Sequence, residues 1–201
     1  MKKVIVDVDD VLALNTFINS LNNFLHSNYT YNDINRYYVE EMLDENQLIE
    51  FRKYIKENNI YQFSLVAPNS KEVLMKLMVE GYEIYPTSKF YSELDNIILP
   101  ETLTYKCEFL QKNYPFIPTK NYIFINNKLL LNADIRIDDS LDNLSDNGLN
   151  LLYSAYHNRK IENRLLSDKK ILRVQNWKDI ENKVLKKRKL IKIDLEKRKI
   201  K

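Results

Sequence analysis

Apolar positions along the chain follow two rhythms. Val4, Ile5 and Val6 are consecutive β-branched residues, a run that predicts a strand covered on both faces, as in the middle of a parallel sheet. Leu14, Phe17, Ile18, Leu21, Phe24 and Leu25 then recur every three or four positions and predict a helix leaving that strand directly. The polar stretch from Asn28 to Asp33 ends it. Tyr37, Tyr38, Val39 and Met42 form a second short segment, and Leu48, Phe51, Tyr54 and Ile55 line one face of a third, from about Asp44 to Asn58. No alternation of period two occurs between residues 14 and 62, which predicts an all-helical insertion.

Beyond it, Pro68-Asn69-Ser70 offers a helix start, Val73, Leu74, Leu77 and Met78 supply the apolar stripe, and Gly81 stands at the expected left-handed end. Tyr82 to Ser88 reads as a strand whose Pro86 is tolerable only near its last residue. A helix from near Glu101 to Asn113, with Leu103, Phe109 and Leu110 inward, precedes four further strands at residues 121–125, 133–137, 149–154 and 170–174. Trp177 opens a closing helix that runs to about Lys187. Strands alternating with helices predict an α/β fold, a doubly wound parallel sheet with a small helical cap inserted after the first strand. The expected organisation is a core of residues 1–13 and 63–185, a cap of residues 14–62 and a basic tail of residues 186–201.

An apolar content of 44% in 201 residues is enough for a sizeable core. No stretch approaches the roughly 18 apolar residues of a membrane span, and Asp7 interrupts the run behind Met1-Lys2-Lys3, so a soluble, cytoplasmic protein is expected. The single cysteine, Cys107, cannot form an internal disulfide and reads as a helix-face residue. With Gly81 and Gly148 the only glycines, no glycine-rich phosphate loop is available. The net charge of +3 is uneven: nine Lys or Arg and two acids from Lys186 onward give +7, leaving −4 before it. Any nucleic-acid contact is therefore expected through the tail alone, although such a run is commonly a solvated end. Oligomeric state is not legible.

Chemistry concentrates at predicted strand ends. Asp7, Asp9 and Asp10 follow the first strand, and desolvated like charges need a cation or hydrogen bonds to stay ionised. Thr87-Ser88 closes the second strand, Lys128 follows the third, and Asp138-Asp139 ends the fourth. In a parallel sheet these carboxyl ends share one edge, so the groups should converge. An oxygen-only donor set points to Mg²⁺ rather than zinc.

Asp-x-Asp, then Thr/Ser, then Lys, then Asp-Asp, each behind a strand, resembles the haloacid-dehalogenase-like phosphohydrolase superfamily. The stretch Lys128-Leu129-Leu130-Leu131-Asn132-Ala133-Asp134-Ile135-Arg136-Ile137-Asp138-Asp139 is similar to that of the 5'(3')-deoxyribonucleotidases, as are Asn158 after His157 and Trp177 at the last helix. The resemblance spans about residues 3 to 185. It implies a Mg²⁺-dependent phosphatase acting on nucleoside monophosphates through an aspartyl-phosphate. Asp7 would be the nucleophile and Asp9 the acid/base, its pKa raised relative to that of Asp7. The metal would be held by Asp7, Asp9 through its carbonyl, and Asp138, with Asp139 as a further ligand or orienter. Thr87, Ser88 and Lys128 would bind phosphate, with Lys89 as helper, and the cap residues Tyr37 and Tyr38 would stack on the base. His157 reads as a structural histidine. Two positions depart from the family pattern: Asp10 replaces a glycine, and Asn15 stands where an aromatic is usual. The alternatives are a 3'-phosphatase acting on nucleic-acid ends and a non-catalytic nucleotide-binding protein on the same fold.

Overall fold

A computed structural model describes residues 2–34, 36, 38–89, 91–92, 97–98, 100–145 and 147–186. Tyr37 and the basic run after residue 186 lie outside them. The first strand, β1 (Lys2–Asp7), is buried from Val4 through Asp7. A tight turn follows, in which Leu12 and Ala13 N–H groups both donate to the Val8 carbonyl, at 3.0 and 2.8 Å. The turn's own carbonyls are taken from distant elements: Trp177 Nε1 donates to Val11 O at 3.1 Å, and the Tyr114 hydroxyl to Leu12 O at 3.1 Å.

This turn corrects one expectation. The chain does not pass directly from strand to helix; a short strand, β2 (Ala13–Leu14), intervenes before α1 (Thr16–Leu25) and pairs antiparallel with β3 (Leu65–Val66). The segment between them is helical, with α1, a 3₁₀ turn at Val39–Met42, α2 (Glu45–Glu57) and a second 3₁₀ turn at Ile60–Phe63. Two-residue strands are too short to show alternation, so the ribbon closing the insertion left no signal. Phe51 of α2 is fully buried and lies 5.3 Å from the ring of Phe24 on α1. Asp44 and Gln47 close the start of α2 as a reciprocal capping box.

The main sheet continues with α3 (Ser70–Val79), β4 (Tyr82–Ser88), β5 (Tyr91–Ser92) paired to β6 (Ile97–Ile98), α4 (Pro100–Asn113), β7 (Ile123–Phe124), β8 (Ile135–Asp138) and β9 (Leu149–Tyr153). It closes with α5 (Asn163–Asp168), β10 (Ile171–Val174) and α6 (Trp177–Glu181), the last running into a π turn at Asn182–Lys186. The short, largely polar α5 was not expected from periodicity. Six strands form one parallel sheet in the order β10-β9-β8-β1-β4-β7. Pro86 is accommodated because β7 pairs with Thr87 and Ser88 alone, so that among the described residues one side of β4 has no strand over residues 82–86. No helix among the described residues is long and apolar enough to cross a membrane.

β1 lies between β4 and β8, where the order of strands reverses, the place at which open α/β sheets build their sites. Register does the rest. Asp7 pairs with Thr87 and Val6 with Ile137, so Thr87, Asp7 and Asp138 end in one row.

Two local features generate tests. Gly148, at φ 80°, turns the chain into β9 against the start of β8, and a Cβ there would lie 2.8 Å from Asp134 O and 2.9 Å from Ala133 O. Gly148→Ala is expected to cost about 2 kcal/mol and lower Tm by roughly 4–8 °C; an unchanged Tm contradicts the packing described. Asp10, at φ 52°, occupies a backbone conformation that suits glycine, and its Oδ1 accepts from Asn15 N at 3.2 Å. Burial, opposed by His157 and reinforced by Asp9 and Asp7, raises its pKa to about 7. A carboxyl whose folded pKa lies above its unfolded value loses stability as pH climbs from about 4 towards that folded value. In EDTA, Asp10→Asn should therefore leave Tm unchanged near pH 4 and raise it at pH 8; equal shifts at both pH values would refute the assignment.

Candidate active site

Asp7, at the last position of β1, is buried and directs Oδ1 to its neighbour's amide, Val8 N, at 2.7 Å and to Lys128 Nζ at 2.8 Å. The same ammonium donates to Asp138 Oδ2 at 2.8 Å, so Lys128 bridges two carboxylates from adjacent strands. The other oxygen of Asp138 accepts from Asn143 Nδ2 at 2.9 Å and from Ser140 N at 3.0 Å. Asp139 completes the group. Carboxylate oxygens of Asp7, Asp138 and Asp139 all lie within 4.8 Å of one another.

Three buried carboxylates lie beside one ammonium, which pairs with two of them, and the electrostatics show the shortfall. Burial, with Asp138 next in weight, pushes the Asp7 carboxyl well above its ordinary range, against the pull of Lys128. Burial and then Asp138 and Asp10 do the same to Asp139. Lys128, despite burial, is raised by Asp138 and Asp7 and stays charged. A hard divalent cation suits this donor set: the ligands are all oxygen, they lie close together, and added positive charge would let all three ionise.

Asp9 has a different environment. Its Oδ2 accepts from Lys106 Nζ at 2.8 Å and from Ser88 Oγ at 3.0 Å, and its Oδ1 from the Tyr61 hydroxyl. Lys106 Nζ also donates to Ser88 Oγ at 2.6 Å and to Lys89 O at 3.1 Å. Burial favours the neutral acid, but Lys106, Tyr61 and Ser88 outweigh it and hold the Asp9 carboxyl below the usual range. Before any cation is added, this is the reverse of the order expected from the sequence, in which Asp9 is the more basic of the pair. The reason is location: Asp7 sits among acids, whereas Asp9 points towards a lysine that the sequence reading had not singled out.

Of the other expected site residues, Thr87 is fully buried and its hydroxyl donates to Val6 O at 3.3 Å, lacing β4 to β1. Ser88 joins the Asp9 group. Tyr38 is half-buried and precedes the 3₁₀ turn at Val39–Met42, with its N–H donating to Glu41 Oε1 at 3.2 Å, while Tyr37 lies outside the described residues. His157, read from the sequence as structural, touches the acid cluster: its Nε2 is 2.6 Å from Asp139 Oδ2. Burial lowers its pKa, favouring the neutral imidazole. Asn158 Nδ2 donates to the carbonyls of Asp139 and Tyr153, each at 2.7 Å, and so ties the end of β8 to that of β9.

Lys106 and Tyr61 are the functional candidates that sequence reading missed. A signal for Lys106 existed, since it lies three residues before Phe109 and four before Leu110, on the inward face of α4, and a lysine on an apolar stripe needs a buried partner. No pattern in the sequence singles out Tyr61, near the end of the insertion. Its ring packs 6.0 Å from that of Phe109, which leaves the hydroxyl free to meet Asp9.

Comparison with known proteins identifies the family. The family model described as "5' nucleotidase, deoxy (Pyrimidine), cytosolic type C protein" matches residues 1–190. A 5'(3')-deoxyribonucleotidase of Bacillus subtilis strain 168 is 34% identical over 200 residues, covering 92% of this chain and all of the relative; one of Bacillus phage SPbeta gives the same figures. Among solved structures, a protein described as a haloacid dehalogenase-like hydrolase from Bacteroides fragilis superposes with a TM-score of 0.51 at 16% identity, covering 86% of this chain and 95% of that one. The chain therefore belongs to this 5'-nucleotidase family, and is a phosphoric monoester hydrolase on the haloacid-dehalogenase-like fold.

Proposed function

We propose that the protein is a cytoplasmic, Mg²⁺-dependent 5'(3')-deoxyribonucleotidase that hydrolyses nucleoside monophosphates through an aspartyl-phosphate on Asp7. The observation that carries this reading is the single ammonium of Lys128 held 2.8 Å from both Asp7 and Asp138 at the shared rim of the sheet. Bound there, phosphate would meet a nucleophile, a fixed positive charge and a cation-ready acid group within one side-chain length.

The Asp7 carboxylate attacks phosphorus, forming an Asp7 O–P bond as the bond from phosphorus to the ribose oxygen breaks. Asp9 gives its proton to that leaving oxygen. Water then attacks phosphorus, Asp9 takes the water's proton, and Asp7 is released with inorganic phosphate. Asp7, Asp138 and the Asp9 carbonyl, with Asp139 beside them, would hold Mg²⁺, which when bound screens phosphoryl charge so that a carboxylate can approach. Lys128 receives the phosphoryl oxygens, joined by Thr87 once its hydroxyl turns away from Val6 O, and Ser88 and Lys89 assist.

Lys106 supplies what the reversed acidities of the pair require. An arriving phosphate dianion next to Ser88 competes with Asp9 for the Lys106 ammonium. As the ammonium turns to phosphate, Asp9 loses its counter-charge, takes up a proton from solvent and carries it to the leaving group. Tyr37 and Tyr38 of the cap are proposed to stack on the base, a contact worth about 1–3 kcal/mol.

Two experiments test this. In a phosphate-release screen over deoxy- and ribonucleoside monophosphates, activity should appear with Mg²⁺, vanish in EDTA, and fall by at least about 10³-fold in Asp7→Asn; metal-independent turnover, or an active Asp7→Asn, would refute the mechanism. Lys106→Met should lower kcat/KM by about 10²-fold. Activity within about threefold of the parent would remove Lys106 from the reaction.

A further inference from the structure

Arg136 occupies an interior position of β8 that a sheet would ordinarily fill with an apolar side chain, and it is only 4% exposed. A buried guanidinium must spend its hydrogen bonds on something. Nη1 donates to the carbonyl of Lys128 at 3.1 Å, Nη2 to the carbonyl of Leu131, and Nε to Ser145 Oγ at 3.0 Å.

The first two acceptors bracket the turn that carries the lysine. Lys128–Leu130 is a three-residue 3₁₀ turn, a length too short to be stable by itself. Its other side chains do not anchor it: Leu129 is 48% exposed and Leu130 74%. At its start Asn127 Oδ1 accepts from Leu129 N at 3.1 Å, and the carbonyls of its first residue, Lys128, and of Leu131 just after it converge on Arg136. A planar fork with several fixed N–H directions holds two carbonyls in a way that a point-charge ammonium does not.

The third acceptor extends the grip. Ser145 follows the segment holding Asn143, whose amide donates to Asp138 Oδ1 at 2.9 Å while Lys128 Nζ donates to Asp138 Oδ2 at 2.8 Å. Arg136 and Asp138 are two positions apart on one strand and so share a face. One guanidinium thus lies beneath both loops that clasp Asp138.

We propose that Arg136 is a positioning residue for Lys128: by clamping the Lys128 and Leu131 carbonyls it fixes the ammonium between Asp7 and Asp138, where it receives the phosphoryl group. This rests on the reading of Lys128 as a phosphate ligand.

The test uses full-length Arg136→Leu and Arg136→Lys beside the parent, with three readouts: steady-state kinetics on a deoxyribonucleoside monophosphate, inhibition by inorganic phosphate, and crystal structures without substrate. Arg136→Leu should raise KM and the phosphate inhibition constant together by about tenfold or more, and move Lys128 Nζ out of contact with Asp138. Arg136→Lys, able to reach one carbonyl, should fall in between. A purely structural role would lower the folded fraction, and with it apparent kcat, while leaving KM and phosphate inhibition unchanged; that result overturns the inference. Should Arg136→Leu not fold, Arg136→Lys decides alone: raised constants support the clamp and parental constants overturn it. If the parent hydrolyses no nucleotide, the activity reading fails by itself, and the variant structures still decide: Lys128 displaced supports the clamp, Lys128 in place refutes it.

Discussion

The arrangement depends on an imbalance of charge at the carboxyl end of the sheet. Asp7, Asp138 and Asp139 are each less than a tenth exposed and lie close together, with Lys128 shared by the first two and His157 against the third. Desolvated like charges at this distance cannot all stay ionised on one counter-charge. Asp7 and Asp139 accordingly hold their protons to unusually high pH. A cluster built purely for stability would be better served by apolar side chains of similar volume. Charge left uncompensated at a strand-order reversal is what an enzyme needs if its cofactor is a cation and its substrate an anion whose charge must be screened.

The sheet makes this imbalance affordable. β1 has β4 on one side and β8 on the other, and their registers bring Thr87 and Asp138 level with Asp7 although the three are far apart in sequence. The turn after β1 is then fixed from outside, by Trp177 of the last helix on Val11 and by Tyr114 on Leu12. Asp9 and Asp10 hang from that turn, so their direction is set by residues more than a hundred positions further along the chain. Asp9 leans towards α4 and the Ile60–Phe63 turn, and meets Lys106 and Tyr61. The two catalytic candidates therefore see opposite electrostatic surroundings within three residues of chain.

Much of this was legible in the sequence. The β-branched run at Val4–Ile5–Val6, the Tyr82 to Ser88 strand and the helix ending at Gly81 are long or strongly periodic, and they occur where periodicity placed them. The row of Asp7, Thr87, Lys128 and Asp138 followed from one rule, that parallel strands share a carboxyl edge. What escaped reading was of two kinds. β2, β3 and α5 are too short for a period to be seen. Lys106, Tyr61 and Arg136 owe their roles to neighbours brought in by tertiary packing, and a charged residue inside an apolar stripe is the one trace such a role leaves in sequence. The opposite surroundings of Asp7 and Asp9 leave no trace in sequence for the same cause, since Asp138 reaches the first and Lys106 the second only in the fold.

The central claim is that the acid cluster is completed by a divalent cation, and anomalous diffraction from crystals of the parent protein grown with Mn²⁺ in place of Mg²⁺ tests it most directly. The account predicts one ion per chain, with oxygen atoms of Asp7 and Asp138 in direct coordination at about 2.1–2.2 Å. Saturating Mn²⁺ with no ion in this cluster, and Lys128 still the only positive group between Asp7 and Asp138, would contradict it.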